Sequence, residues 1–131
     1  MNSNKGATPM NMISITEHKE DPLFSYCHIH TAKSIYNIPL NDILFIESCQ
    51  KKSLLHTRNE SISLPLPLYR MKETLPSSLF LQTHRSFLVN LNSISYIDKQ
   101  TDPWTIFFFR SEKRAYISRR FRQTFTEAVT D

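Results

Sequence analysis

Four consecutive apolar residues, from Ile43 to Ile46, constrain the fold of this chain more than any other feature. Side chains of a strand alternate between two faces, so a continuous apolar run predicts a strand that is buried on both sides. Polar residues stand at both ends of the run, with Asp42 before it and Glu47 after it. We therefore predict a doubly buried strand over residues 41–48.

Short apolar or alternating runs, separated by turn residues, predict that most other elements are also strands. Leu68, Met71 and Leu75 instead follow a helical spacing. Phe121, Phe125 and Val129 recur every fourth residue and predict an amphipathic terminal helix. The predicted strands span residues 13–15, 23–30, 34–38, 54–57, 61–64, 94–97, 104–109 and 114–117, and the predicted helices lie at 68–75, near 84–89 and at 119–129.

Size and composition indicate one cytoplasmic domain. The 131 residues suffice for a single core, and no apolar run approaches the ~20 residues that cross a bilayer. We predict a flexible N-terminal segment over residues 1–12, which has no apolar signal core, and one domain over residues 13–131. Cys27 and Cys49 fit a reducing compartment, with a disulfide between them as the less favoured alternative. These features predict a cytoplasmic protein without membrane association.

Positive charge is concentrated near the C-terminus. Between Arg110 and Arg122 lie six basic residues and one acidic residue, whereas the rest of the chain holds ten basic and eleven acidic residues. A solvated charged face is the ordinary interpretation of such a run. A local excess of one sign also favours a polyanionic partner, and nucleic acid is the partner that we favour.

The stretch from Leu79 to Asp98 contains a short polar segment, His84-Arg85-Ser86, between two apolar segments. This arrangement resembles the signature of the LytTR family of bacterial DNA-binding domains, which is usually written Phe-x-Arg-x-His-x-Ser followed by an apolar pair and Asn. The order of apolar and polar segments resembles that family over roughly residues 22–129. Gln82 stands where the family usually has Arg, and the matching residues are Phe80, His84, Ser86 and Asn90.

The resemblance implies a mainly β fold, an elongated stack of short, mostly antiparallel sheets with two or three small helices. It also implies that loops enter the grooves of DNA. The residue between the signature His and Ser points into the major groove in such domains, so Arg85 is expected to read bases and Ser86 to approach the backbone. The planar fork of an arginine matches guanine O6 and N7, which supports this assignment independently. His84 is more often a structural residue than a direct contact.

Two further segments are predicted to bind phosphate. The basic turn Lys51-Lys52-Ser53 has suitable charges and a hydroxyl, although such a turn is ordinary on any surface. Ser118 stands where a helix N-cap is expected, and Arg119 and Arg120 follow in the first turn, where cations oppose the helix dipole. This arrangement favours an anion site over a tolerated surface charge, and it is similar to a second LytTR motif. The predicted phosphate contacts here are Ser118, Arg119, Arg120 and Arg122.

Metal binding and catalysis have little support in the sequence. His28 and His30 share a strand face, but no third or fourth ligand stands at a recognisable spacing. No glycine-rich phosphate loop, nucleophile elbow or paired acidic motif is present. We therefore predict no cofactor, no metal and no enzymatic activity.

The combined interpretation is sequence-specific binding to double-stranded DNA in transcription regulation. The resemblance implies a response-regulator output domain of a two-component system, often in quorum sensing, or a single-domain regulator. It also implies promoter repeats, with a second copy on an adjacent half-site. The alternative from another class is a β-rich protein-interaction module whose basic edge binds an acidic partner. RNA binding is less favoured, because the stacking aromatics of the RNP pattern are absent.

Overall fold

The computed structural model describes residues 12–17, 20, 21 and 24–130. The segment predicted as flexible, residues 1–12, lies outside the described residues except for the backbone of Met12, which begins the first strand. No helix within the described ranges is long and apolar enough to span a membrane.

The described residues form eleven strands and two α-helices. Helix α1 (Leu68–Thr74) stands between the sixth and seventh strands, and helix α2 (Arg122–Val129) follows the last strand. The strands are β1 (Met12–Thr16), β2 (Tyr26–His30), β3 (Ile35–Pro39), β4 (Ile43–Cys49), β5 (Lys52–Thr57), β6 (Ser61–Leu64), β7 (Phe80–His84), β8 (Phe87–Asn90), β9 (Ile94–Asp98), β10 (Trp104–Phe108) and β11 (Arg114–Ile117).

All strand pairs are antiparallel, and they build three stacked sheets. The central sheet has the order β6-β5-β4-β8-β7, and the flanking sheets have the orders β1-β2-β3 and β11-β10-β9. The first sheet and α1 share one hydrophobic core with the central sheet, and the third sheet and α2 share the other. This architecture confirms the predicted mainly β, antiparallel fold with small helices.

Strand β4 lies in the middle of the central sheet and is buried on both faces, as its apolar run predicts. Ile43 and Ile46 belong to the core beneath the first sheet, whereas Leu44 and Phe45 belong to the core beneath the third sheet. The pairing register shifts between Ile43 and Phe45, and such an irregularity allows two consecutive side chains to enter the same core. The run can therefore serve both cores at once.

The helix predicted near residues 84–89 is wrong. The chain instead forms a tight hairpin, in which β7 ends at His84 and β8 begins at Phe87. Strand β8 pairs with β4 on one side and with β7 on the other, and all four of its residues are buried. A helix here would remove the backbone hydrogen bonds that two neighbouring strands require, so tertiary pairing decides the local structure.

The terminal helix also differs from the prediction in detail. A 3₁₀ turn, Arg119–Phe121, precedes the α-helix, which begins only at Arg122. Phe125 is buried as expected, but Val129 is 51% exposed. The apolar stripe of this helix therefore contacts the third sheet through its first half only.

Asn90 ties the signature hairpin to the central strand from inside the core. It is fully buried, and its Nδ2 donates to the carbonyl oxygens of Leu40 at 3.2 Å and Ile43 at 2.9 Å. Its Oδ1 accepts from the backbone N–H of Asn92 at 2.9 Å. One side chain thus satisfies three buried or half-buried backbone groups, which explains why an asparagine stands at this apolar position.

Replacing Asn90 with Ala should lower the free energy of unfolding by about 1–3 kcal/mol, because buried carbonyl groups lose their donor. Chemical denaturation monitored by circular dichroism measures the change. Asn92→Ala is a matched control, since Asn92 is exposed and, among the described residues, its side chain donates one hydrogen bond, to the side chain of Asn41. Equal stability of the Asn90→Ala and Asn92→Ala proteins would contradict this role.

Candidate nucleic-acid interface

Three separate segments meet at one end of the central sheet. The β4–β5 turn and the β7–β8 turn are neighbours, because the backbone N–H of Ser48 donates to the carbonyl of Ser86 at 2.8 Å. The start of the terminal 3₁₀ turn lies beside β7, where the N–H of Ser118 donates to the carbonyl of Thr83 at 3.0 Å. We call this surface, formed by residues 50–52, 85–86 and 118–120, the signature end.

His84 shapes the β7–β8 turn from within the protein. Its Nδ1 accepts a hydrogen bond from the backbone N–H of Ser86 at 3.0 Å, and its ring packs edge-on against Phe87. Burial, and secondarily the charge of Arg85, lower the pKa of His84 below its usual value. The lowered pKa favours the neutral ring, in which Nδ1 can accept this hydrogen bond. These contacts are those of a structural residue.

Gln82 supports the same turn, in the place where the family signature usually has Arg. Its Nε2 lies 3.3 Å from the carbonyl oxygen of His84 and 3.4 Å from that of Arg85. Its Oε1 accepts from Lys72 Nζ at 3.0 Å. Lys72 lies on α1. Helical spacing predicts which side chains of this helix are buried, but it carries no signal for a contact between Lys72 and Gln82.

Arg85 projects from the supported turn into solvent. Its side chain is exposed, and it forms no ion pair with a residue in the described ranges. Ser86 beside it is half-buried. A cation that is unpaired and carried by a tight hairpin is available to an external partner.

The three predicted phosphate contacts at the β4–β5 turn differ in their exposure to solvent. Lys51 and Lys52 are exposed, and Gln50 adopts a left-handed φ of 62° that closes the turn. Ser53 is fully buried, and its hydroxyl donates to the carbonyl oxygen of Leu66 at 2.6 Å. The inward face of β5 places this hydroxyl against the β6–α1 connection, which argues against the predicted phosphate contact by Ser53.

The start of the terminal helix also differs from the predicted anion site. Ser118 occupies the N-cap position of the 3₁₀ turn, but its hydroxyl makes no capping bond, so the predicted side-chain cap is wrong. Arg119 and Arg122 both contact the carboxylate of Asp102, at 2.6 and 2.9 Å. Arg120 is exposed and lies 5.7 Å from the ring of Phe121. Two of the three arginines are thus already paired within the chain.

The basic run from Arg110 to Arg122 does not form one patch. Lys113 lies at the opposite end of the sheet, where Nζ donates to the carbonyl oxygens of Thr57 at 2.7 Å and Glu60 at 2.8 Å. Burial lowers the pKa of Lys113, with a smaller opposing effect of Glu60. Arg114 stacks on Phe107 at 4.1 Å. Strand β11 separates these residues from the signature end, so only the second half of the run contributes there.

His28 does not form a metal site with the described residues around it. Its two ring nitrogens lie 2.5 Å from Asn37 Oδ1 and 2.6 Å from Thr16 Oγ1. Within the described ranges, no group of three or more His, Cys, Asp or Glu residues is arranged to hold a metal ion.

Comparisons with known proteins point to the same family as the signature. The family model of the LytTr DNA-binding domain matches residues 33–130. The transcriptional regulatory protein YpdB of Escherichia coli K12 is 39% identical over 66 residues, which cover 50% of this chain and 25% of YpdB. The transcriptional regulatory protein NatR of Bacillus subtilis is 30% identical over 80 residues, covering 60% of this chain and 34% of NatR.

A solved structure has the same fold. It is the LytTr DNA-binding domain of a Bacillus cereus protein described as a methyl-accepting/DNA response regulator, with a TM-score of 0.70 and 20% sequence identity. The similarity covers 81% of this chain and 97% of that domain. The chain spans about a quarter to a third of the length of YpdB and NatR, so the similarity to these relatives concerns one part of them. Since the family model accounts for most of its length, the chain belongs to the LytTr DNA-binding domain family.

Proposed function

We propose that this chain binds double-stranded DNA at specific sequences in transcription regulation, with the signature end facing the DNA. The proposal rests mainly on one observation, the convergence of three segments that carry exposed cations at one end of the central sheet. Loops that are fixed by a sheet can enter a groove without a recognition helix, unlike the helix-turn-helix proteins.

Arg85 is proposed to read bases in the major groove. It is exposed and unpaired among the described residues, and His84 and Gln82 fix the turn that carries it. A fixed turn lowers the entropy lost when the guanidinium group binds, so its bidentate geometry can select guanine.

The proposed phosphate contacts lie around Arg85. Lys51, Lys52 and Arg120 offer exposed charges, and Ser86 offers a hydroxyl beside the turn. Ser118 and Arg119 stand at the edge of the same surface, whereas Arg122 is half-buried. We propose that Arg122 mainly holds the terminal helix in place.

The wider role also remains a proposal. The matched relatives carry names of transcriptional regulatory proteins, which supports a role as an output domain of a response regulator in a two-component system. The alternative is a regulator that consists of a single domain. Quorum sensing is a proposed setting both for this regulator and for the output domain of a response regulator. We propose that the domain acts in the cytoplasm, on promoter repeats that bind two copies.

Selection of bound duplexes from a random pool tests this function directly. We expect one short motif to be enriched, in two half-sites about one helical turn apart. A shift of half a turn in this spacing should abolish paired occupancy, since the second copy would face the other side of the duplex. No enrichment over the starting pool would contradict sequence-specific binding. Unchanged occupancy after the shift would mean that the copies bind independently.

A further inference from the structure

The carboxylate of Asp102 bridges the two arginines on either side of the terminal 3₁₀ turn. Asp102 lies in the loop between β9 and β10, and its side chain is 52% exposed. Its Oδ2 accepts from Arg119 Nη2 at 2.6 Å, and its Oδ1 accepts from Arg122 Nη2 at 2.9 Å. Asp102, which stands 17 positions before Arg119 in the sequence, thus determines which charges of the predicted anion site are free.

The two halves of this bridge differ in their surroundings. The side chain of Arg122 is only 26% exposed, and its guanidinium group lies 4.6 Å from the ring centroid of Trp104. The side chain of Arg119 is 77% exposed. An ion pair as exposed as that between Asp102 and Arg119 contributes little net stability, so an external anion can replace the carboxylate there.

The region around Asp102 carries two further cations, Lys99 and Arg120, and one further carboxylate, Asp98 at the end of β9. Lys99 Nζ lies 4.9 Å from the ring centroid of Trp104, the ring that Arg122 also contacts. Arg120 is exposed and follows Arg119 in the sequence. Carboxylate and phosphate oxygens are equivalent acceptors for a guanidinium group. Asp102 therefore occupies a position in which these cations would otherwise attract the DNA backbone.

We propose that Asp102 is a built-in competitor of DNA phosphate at the signature end. In the free domain its carboxylate occupies Arg119, and this lowers the electrostatic attraction for duplex DNA of any sequence. A phosphate has to displace the carboxylate before Arg119 can contact DNA. Arg122 stays paired with Asp102 and keeps the terminal helix in position. This inference rests on the proposed function, because it assigns a regulating residue to the same surface.

The substitution Asp102→Asn tests the proposal, because it removes the charge and nearly preserves the shape. Affinity for a random-sequence duplex should rise roughly three- to tenfold at 50 mM salt, and the log–log salt slope should steepen by about one unit. Asp42→Asn is the matched control. It removes the same charge from an exposed position just before β4, at the end of the sheet opposite the signature end, and should change neither quantity.

The double variant Asp102→Asn/Arg119→Gln separates this effect from a structural one. If Asp102 acts through Arg119, the gain in affinity should largely disappear when Arg119→Gln is already present. Circular dichroism melting shows whether each variant is folded, and Arg119→Gln leaves the pair between Asp102 and Arg122 in place. Weaker or unchanged binding by a folded Asp102→Asn protein would overturn the inference. Absence of duplex binding by the wild-type domain would instead overturn the proposed function.

Discussion

Raising the salt concentration from 50 to 200 mM should weaken binding of this domain to duplex DNA by roughly 10²–10³-fold. The expected log–log slope is about −3.6, which corresponds to about four cations that neutralise DNA phosphates at −0.9 each. These four are Lys51, Lys52, Arg85 and Arg120, which are exposed and form no ion pair with a described residue. We expect no contribution from the neutral or buried hydroxyl groups, or from Arg119 and Arg122, since both arginines are paired with Asp102. Fluorescence anisotropy at several salt concentrations measures the slope.

The same titration separates DNA binding from the protein-interaction alternative. A basic edge that binds an acidic protein should accept an acidic polypeptide as readily as a duplex. We therefore expect poly-glutamate to compete much less effectively than duplex DNA at equal charge concentration. A flat salt titration, or equal competition by poly-glutamate, would favour the interaction module.

Replacing Arg85 with Ala should reduce affinity for the selected site by about 5- to 150-fold, or about 1–3 kcal/mol, and relax preference at one or two base positions. The expectation follows from the geometry of the turn. His84 and Gln82 hold its backbone, so the Arg85 side chain is presented in a restricted set of positions. Binding is measured on the selected duplex and on a scrambled duplex of equal length.

Lys52→Ala is the matched comparison for Arg85→Ala. Lys52 is exposed on the neighbouring turn, so its loss should weaken all duplexes alike and reduce the salt slope by about one unit. Equal loss of selected and scrambled binding in Arg85→Ala would show that Arg85 contacts only phosphate. The base-reading residue would then have to be sought elsewhere at the signature end, since the Gln82 amide already faces the turn carbonyls.

Local sequence patterns were sufficient for much of the fold. The run from Ile43 to Ile46 predicts a doubly buried strand, and β4 is buried on both faces. The predicted strands at 61–64 and 114–117 have the observed bounds. Strand periodicity and turn residues are local properties, so they can be interpreted without knowledge of neighbouring elements.

The signature hairpin shows where local patterns fail. Phe87 to Asn90 is a short, mainly apolar run, and such a run is compatible with either a helix or a buried strand. Its structure depends on pairing with β4, whose nearest paired residue, Glu47, is 40 positions away from Phe87. Only the assembled sheet supplies that partner.

The sequence by itself determined the fold class, the family signature and the positions of the exposed turns that carry Lys51, Lys52 and Arg85. The tertiary structure decided which charges and hydroxyls are free. Lys113 is used to hold the β5–β6 turn, the Ser53 hydroxyl donates to the carbonyl of Leu66, and Arg119 is occupied by Asp102. Composition records how many charges a chain has, but the availability of each one depends on partners that are distant in sequence and adjacent only in the folded protein.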